Sequence, residues 1–430
     1  MQTHFSPAQR DNPVIRAADA ILRKCVHCGF CTATCPTYVL RGDEADSPRG
    51  RIYLIKQMYE QGGAPSAATV THLDRCLGCL SCMTTCPSGV DYHHLIEAAR
   101  FRIEAEGAGR PLAEQGLRWL LGRLTTHRAG LRWALRLAAL FKPLMRLAPS
   151  RLRPLLAMAP KKLPDPSSAL KPQIFPATGP RRARVALLTG CVQAVMDRAI
   201  LDATIRLLTR HGVEVVVARG AECCGALPHH LGQEALAKTK AAAAIDGWWG
   251  ETSEGGGVGL DAVVVNISGC GTVVKDYGHL FAAEGGQRAA RAAIIAGLAK
   301  DICEFLLGLG LKPSGIEPGL RVAYHSPCSL QHAQRQGQPP RDLLRQAGFE
   351  VLEIPEGHLC CGSAGVYNLL QADLAQRLKD RKLAHIAALN PELIASGNLG
   401  CMHQLASGTA LPVVHSVQLL DWATGGPKPY

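Results

Sequence analysis

Two cysteine runs of one rhythm, Cys25-x2-Cys28-x2-Cys31-x3-Cys35-Pro36 and Cys76-x2-Cys79-x2-Cys82-x3-Cys86-Pro87, constrain this chain more than any other feature. Three thiolates so spaced grip three corners of an iron–sulfur cube only if the loop coils back on itself. The fourth cysteine, set before a chain-turning proline, lies beyond that reach and ligates the other cluster of a pair. The expected ligand sets are therefore Cys25, Cys28, Cys31 and Cys86 for one [4Fe–4S] cluster, and Cys76, Cys79, Cys82 and Cys35 for the second. A single CxxC would suit a zinc knuckle or a redox dithiol. Two unbroken four-cysteine runs favour a cluster pair over structural zinc or disulfides.

The 430 residues allow about three domains at ~150 residues each. No stretch of eighteen uncharged apolar residues occurs, so no transmembrane helix is expected. Met1–Arg10 lacks an apolar core and no twin-arginine signal precedes the clusters; with so many thiols, a reducing cytosol is the expected compartment. The net charge is +12, and residues 101–162 carry most of it, with 13 Lys/Arg against 3 Asp/Glu. No nucleic-acid-binding motif accompanies that charge. An acidic partner subunit or the anionic inner face of the cytoplasmic membrane is the expected neighbour, and no nucleic acid.

Residues 1–110 form the expected cluster module. Arg49–Gln61 and Tyr92–Ala105 read as helices, the first preceded by Pro48. Residues 111–182 read as a basic helical connector and a proline-rich linker. Arg128, Arg132 and Arg136 recur every four residues, Lys142 and Arg146 repeat the spacing, and Trp119, Trp133, Leu140 and Phe141 are apolar. Such a face suits a membrane surface, a partner or plain solvent. Pro143, Pro149, Pro154 and Pro160 limit helix length there, and 160–182 is the linker.

From Ala183 the pattern becomes βαβ, predicting a parallel sheet. Strands at Val185–Leu188, Val213–Val217 and Asp261–Val265 lead to Cys191, to Cys223-Cys224-Gly225 and to Cys270, with a helix over Arg198–His211. The block then repeats: Val322–Tyr324, Phe349–Ile354 and Leu393–Ala395 lead to Cys328, to Cys360-Cys361-Gly362 and to Cys401. Cys191 and Cys223 are separated by 31 residues, and so are Cys328 and Cys360. This is an internal duplication, with domains at 183–315 and 316–430. The fold class is therefore multidomain α+β, a helical two-cluster domain followed by two duplicated α/β cysteine-rich domains.

In each half four thiols should meet at the carboxyl edge of the sheet, where open α/β sheets bind ligands. The eight are candidates for a third and fourth metal centre, for a redox thiol site, or for small buried apolar side chains. The glycine after each Cys-Cys is expected to let the backbone approach a ligand. Cys303 lies outside the pattern and reads as core. His27 in the first cluster loop, His229-His230, and His325 and His332 flanking Cys328 are neighbours of these sites, more often structural than functional. Lys275, Asp276 and Tyr277 follow Cys270, and none is assigned as a catalytic base. No catalytic residue is assigned.

The helical two-loop plan resembles the α-helical ferredoxin of succinate dehydrogenase-type iron–sulfur subunits. The CCG repeat resembles the cysteine-rich domain of the heterodisulfide reductase B subunit. The whole chain resembles the bacterial glycolate oxidase iron–sulfur subunit family, through KCVHCGFCTATCPTY at Lys24–Tyr38, DSPRGRIYLIKQ at Asp46–Gln57, CPSGVDYHHL at Cys86–Leu95, SGCGTVVKDYG at Ser268–Gly278 and HLCCGSAGVYNL at His358–Leu369. The resemblance implies FAD-binding partner subunits that oxidise glycolate to glyoxylate, and a membrane quinone as acceptor. Equivalent subunits for lactate or glycerol-3-phosphate, a thiol–disulfide reductase and a zinc-bearing scaffold are the alternatives. No GxGxxG follows a first strand, consistent with flavin on another chain. The late CxxC of the heterodisulfide reductase domain is here Cys270-x2-Val273 and Cys401-x2-Gln404, so one thiolate is missing in each half.

Overall fold

The computed structural model describes residues 1–107, 109–142, 156, 160, 163–312 and 314–430. Its first part is all helix. Pro13–Lys24 starts at Asn12, whose side chain accepts from Val14 N and Ile15 N, and buries Ala18 and Leu22. Pro48–Gln61 starts at Ser47, whose Oγ accepts from Gly50 N. Tyr92–Glu106 is capped by Asp91. Ile52, Ile55 and Tyr59 on one helix and Leu95, Ala99 and Ile103 on the other recur at helical spacing and close a common core with Leu73 and Val70. Each cysteine run begins as a loop and continues as a short helix, Phe30–Ala33 or Ser81–Thr85, and Cys25, Cys76 and Cys82 pack into that core. The two expected helices are found within a residue at each end.

Two sheets follow. The first has strands β1 (Gln173–Phe175), β2 (Ala183–Leu187), β3 (Val213–Val217), β4 (Ala262–Val265) and β5 (Ala299–Asp301), in the order β1-β3-β2-β4-β5. The second has β6 (Arg321–His325), β7 (Glu350–Leu352), β8 (Leu393–Ser396) and β9 (Val413–His415), in the order β7-β6-β8-β9. All pairs are parallel except β1 with β3. Strand for strand, β3-β2-β4-β5 matches β7-β6-β8-β9, so the duplication in the sequence is a duplication of topology. One continuous apolar core runs through both halves, from Val185, Leu187 and Leu201 to Val322, Tyr324 and Leu420. The helices Arg198–Arg210 and Ser416–Ala423 meet across it, pinned by Arg206 and Arg210 on the buried Asp421 at 2.6 and 3.0 Å.

Two readings of the connector change. Gln173–Phe175, read as linker, is an antiparallel edge strand on β3. The arginines at every fourth position do not form one solvated basic face. Arg128 turns inward and donates to Gly190 O at 3.0 Å, Arg132 donates to Pro164 O at 2.6 Å, and Arg136 lies over Trp133. The helices Leu112–Thr125 and Arg128–Phe141 expose Trp119, Trp133, Leu137, Leu140 and Phe141, with Arg123 and Arg136 beside the two tryptophans. Arg146, Pro143, Pro149 and Pro154 lie outside the described residues.

Candidate iron–sulfur and thiol sites

The two cluster loops share one backbone. In each run the third and fifth residues turn left-handed: His27 (φ 56°) and Gly29 (φ 86°) in the first, Gly78 (φ 63°) and Leu80 (φ 60°) in the second. Those turns coil each loop so that its thiols face one point. His27 is thus a turn residue, and its carbonyl accepts from Arg49 Nη1 at 3.4 Å.

Cys25, Cys28, Cys31 and Cys86 line a common cavity, with Cys82 at its inner wall. Cys28 is exposed, whereas Cys25, Cys35, Cys76, Cys79 and Cys82 are buried. Cys35 sits with the second run: Arg51 Nη1 lies 3.8 Å from its Sγ, and the same guanidinium acts on Cys76. Tyr92 Oη and Gly78 N donate to Cys76 Sγ at 3.5 and 3.4 Å. Burial raises the Cys76 thiol, but Arg51 and Arg100 outweigh it and hold its pKa below the usual value. Cys79 and Cys82 are driven far up by burial and by neighbouring thiols, and Cys31 is pushed up to about 11 by burial. All-sulfur donors that cannot ionise together without a cation, with buried guanidinium groups beside them, fit thiolate-ligated clusters.

The guanidinium of Arg51 is 1% exposed and is held by Asp46, which is fully buried. Asp46 also meets Arg41, His72 and Arg75 at 2.6, 2.9 and 3.3 Å. Burial alone would raise its pKa, but His72, Arg51 and Arg75 hold it below normal. These residues form the DSPRGR segment and its partners. The segment places a buried cation against Cys35 and Cys76, which its one-dimensional pattern does not reveal.

The second cysteine set gathers at the carboxyl ends of the strands, in matching pairs. In the first half Cys191 meets Cys223, and Cys224 meets Cys270. In the second half Cys328 Sγ lies 3.8 Å from Cys360 Sγ, and Cys361 meets Cys401. Asn398 Nδ2 donates to Cys401 Sγ at 3.4 Å, and the buried Lys382 acts on Cys360, Cys361 and Cys401. Cys303 is buried in the shared core, as expected. The glycine of each CCG serves another purpose than the expected one. Gly225 and Gly362 adopt φ of 82° and 89°, and a Cβ there would meet Ala237 O at 2.6 Å or Ala375 O at 2.5 Å. They let a following helix approach the loop; the close contact is with backbone, not with a ligand.

The flanking residues divide. His332 is satisfied, 2.9 Å from Thr84 Oγ1 and 3.0 Å from His358 O. His229 lies 3.2 Å from Glu97. Lys275 pairs with Glu304, Asp276 with His94, and Tyr277 Oη donates to Cys224 O at 2.9 Å. His230 borders an apolar cavity of about 730 Å³ that reaches Cys191, Cys224 and Cys270. Its outer walls are Leu121, Leu124, Leu131, Leu135 and Phe141 of the two connector helices, and Gln193, Asn398 and His403 are among its few polar groups. His325 stands apart, with neither ring nitrogen bonded among the described residues.

The second run and the second half share a seam. Leu77 and Cys79 pack with Cys360, Tyr367 and Leu378, Tyr367 Oη donates to Arg75 O at 3.1 Å, and Arg377 reaches Leu40 O at 2.8 Å.

Comparison with known proteins agrees with this layout. Residues 24–90 match the 4Fe-4S dicluster domain family, and 185–275 and 322–406 match the Cysteine-rich domain family. The chain is 40% identical to the glycolate oxidase iron-sulfur subunit of Escherichia coli (strain K12), over 98% of this chain and 99% of that protein. It is 31% identical to the probable glycolate oxidase iron-sulfur subunit of Bacillus subtilis (strain 168), over 95% and 96%. Lactate utilization protein A of Bacillus velezensis is 27% identical over 51% of this chain and 89% of its own length.

Proposed function

Because this chain belongs to the glycolate oxidase iron–sulfur subunit family, we propose that it carries electrons from FAD-bearing partner subunits, which oxidise glycolate to glyoxylate, to a membrane quinone. The observation that carries this reading is the end-to-end match to glycolate oxidase subunits, against a match to only half the chain for the lactate-type relative. In this reading Cys25, Cys28, Cys31 and Cys86 hold one [4Fe–4S] cluster, and Cys76, Cys79, Cys82 and Cys35 the other. Bound there, the clusters supply one-electron transfer. The chain's own part is to insulate the thiolates, offset their charge with Arg51 and Arg100, and hold Cys28 at the surface for the partner subunit.

The apolar cavity supports the acceptor. Its volume is in the range of small-molecule sites, its walls are apolar, and a few polar groups sit beside the thiols at its inner end. The helices that wall it expose Trp119, Trp133, Leu137 and Leu140, and Arg123 and Arg136 lie over the two tryptophans. Aromatic rings beside arginines suit a headgroup boundary. No helix among the described residues is long and apolar enough to cross a membrane. We infer peripheral attachment to the inner face of the cytoplasmic membrane, a reading that the exposed tryptophan–arginine pairs support.

The test uses the assembled complex with two acceptors. Cys76→Ser is expected to abolish glycolate-dependent reduction of both a quinone in vesicles and a soluble dye. Leu135→Trp, which fills the cavity, is expected to lower quinone reduction at least tenfold while sparing the dye. Quinone reduction at the wild-type rate in Leu135→Trp overturns the cavity assignment, and quinone activity in Cys76→Ser overturns the electron-transfer role.

A further inference from the structure

His325 closes β6 and is 2% exposed. Neither Nδ1 nor Nε2 has a hydrogen-bond partner among the described residues. A buried polar group left unbonded costs ~1–3 kcal/mol, so such a ring calls for an explanation. A ring nitrogen of His325 and the thiols of Cys361 and Cys401 all lie within 4.8 Å of one another, and all three residues are buried. They come from neighbouring strand ends: β6, the loop after β7, and the helix after β8.

The duplication supplies an internal control. Counting back three residues from Cys191 and from Cys328 reaches Leu188 and His325 respectively. Leu188 is 1% exposed and packs in the apolar cluster that includes Cys224. The fold therefore accepts leucine at this position, and the first half uses it. The second half instead holds an imidazole against the same pair of thiols.

We propose that the second half carries a mononuclear metal site on His325, Cys361 and Cys401, suited to a zinc-class divalent ion, and that the first half has no counterpart. One imidazole and two thiolates form a borderline-soft donor set of the kind that zinc takes. Three protein ligands leave a fourth position for a small exogenous ligand. Ion bonds of ~2.3 Å to sulfur and ~2.0 Å to nitrogen would draw the three atoms closer than they now stand. Binding displaces the two thiol protons to solvent, with no change of oxidation state. Lys382 faces the resulting thiolates, and Asn398 Nδ2 fixes Cys401 Sγ.

The experiment measures zinc, iron and acid-labile sulfide in the full chain, purified without oxygen, incubated with zinc and desalted. One zinc per chain is expected in the wild type and in Cys270→Ser, a change to the first half. His325→Leu is expected to lower zinc at least tenfold with iron and sulfide unchanged, and His325→Cys is expected to retain it. Cobalt substitution of the wild type should give tetrahedral ligand-field bands with thiolate charge transfer. No zinc in the wild type overturns the proposal, and so does zinc retained by His325→Leu. Iron and sulfide lost along with zinc in His325→Leu would make His325 a cluster ligand and overturn it equally. Should His325→Leu fail to accumulate, zinc-edge absorption of the wild type decides: one nitrogen and two sulfurs support the site, and four sulfurs overturn it.

Discussion

Arg51 is a permanent charge withdrawn from water, and Asp46 is the reason it can be. A buried ion pair is costly to break, because the survivor is left uncompensated. The Asp46 carboxylate has a lowered pKa, so its contribution is complete above about pH 4 and is lost as the pH falls further. What the pair delivers is positive potential at Cys35 and Cys76. Reduction adds negative charge to a cluster held there, and a nearby cation favours that form. Arg51→Gln should therefore shift one cluster potential negative by tens of millivolts, where ~59 mV corresponds to a tenfold change for one electron. Arg49→Gln, whose side chain is 32% exposed, should shift it far less. Redox titration followed by EPR checks this, and equal shifts in the two variants would refute it. The eight cluster cysteines were legible because spacing is chemistry that survives in one dimension. Asp46 and Arg51 were not, because their role depends on three partners, His72, Arg75 and Cys76, that only the fold brings near.

At the scale of elements, the CCG glycines show how a loop and the helix after it are fitted together. Gly362→Ala meets both a left-handed φ, costing ~1–2 kcal/mol, and the backbone oxygen of Ala375. Gly42→Ala meets only a left-handed backbone, φ 66° and ψ 8°, with nothing within 4 Å. Gly362→Ala should thus lower the thermal midpoint by several degrees more than Gly42→Ala, measured by scanning calorimetry; equal losses would show that the contact is relieved by a small shift. Most strands were legible from valine-rich runs. Ala299–Asp301 and Val413–His415 were not, since each is three residues long and is made a strand by pairing with β4 or β8. Gln173–Phe175 was hidden in a proline-rich stretch for the same reason, its partner being β3.

In the whole molecule, the cluster module is joined to the first α/β half through histidines. His94 bridges Asp91 at 2.6 Å and Asp276 at 3.0 Å, and stacks on His279. Burial opposes its charge, but hydrogen bonds to Asp276 and Asp91 prevail and raise its pKa to about 10. His93 and His279 also face it, and Glu97 acts on both of those histidines. A raised histidine contributes fully below its unfolded value of ~6.5 and loses that contribution as the pH climbs through the folded one. The thermal midpoint of the wild type should exceed that of His94→Gln most near pH 6, and the gap should close toward pH 10. A gap that stays constant across this range would refute the bridge. This joint could not be read in advance, because His94 and Asp276 are 182 residues apart.

The seam between the second cysteine run and the second half has a consequence in time as well as space. Cys79 and Cys360 are shut into one apolar layer by Leu77, Tyr367 and Leu378. That layer covers the second run on the side of the duplicated half. The order expected of maturation is therefore loading of the run around Cys76 first and closure of the seam after it.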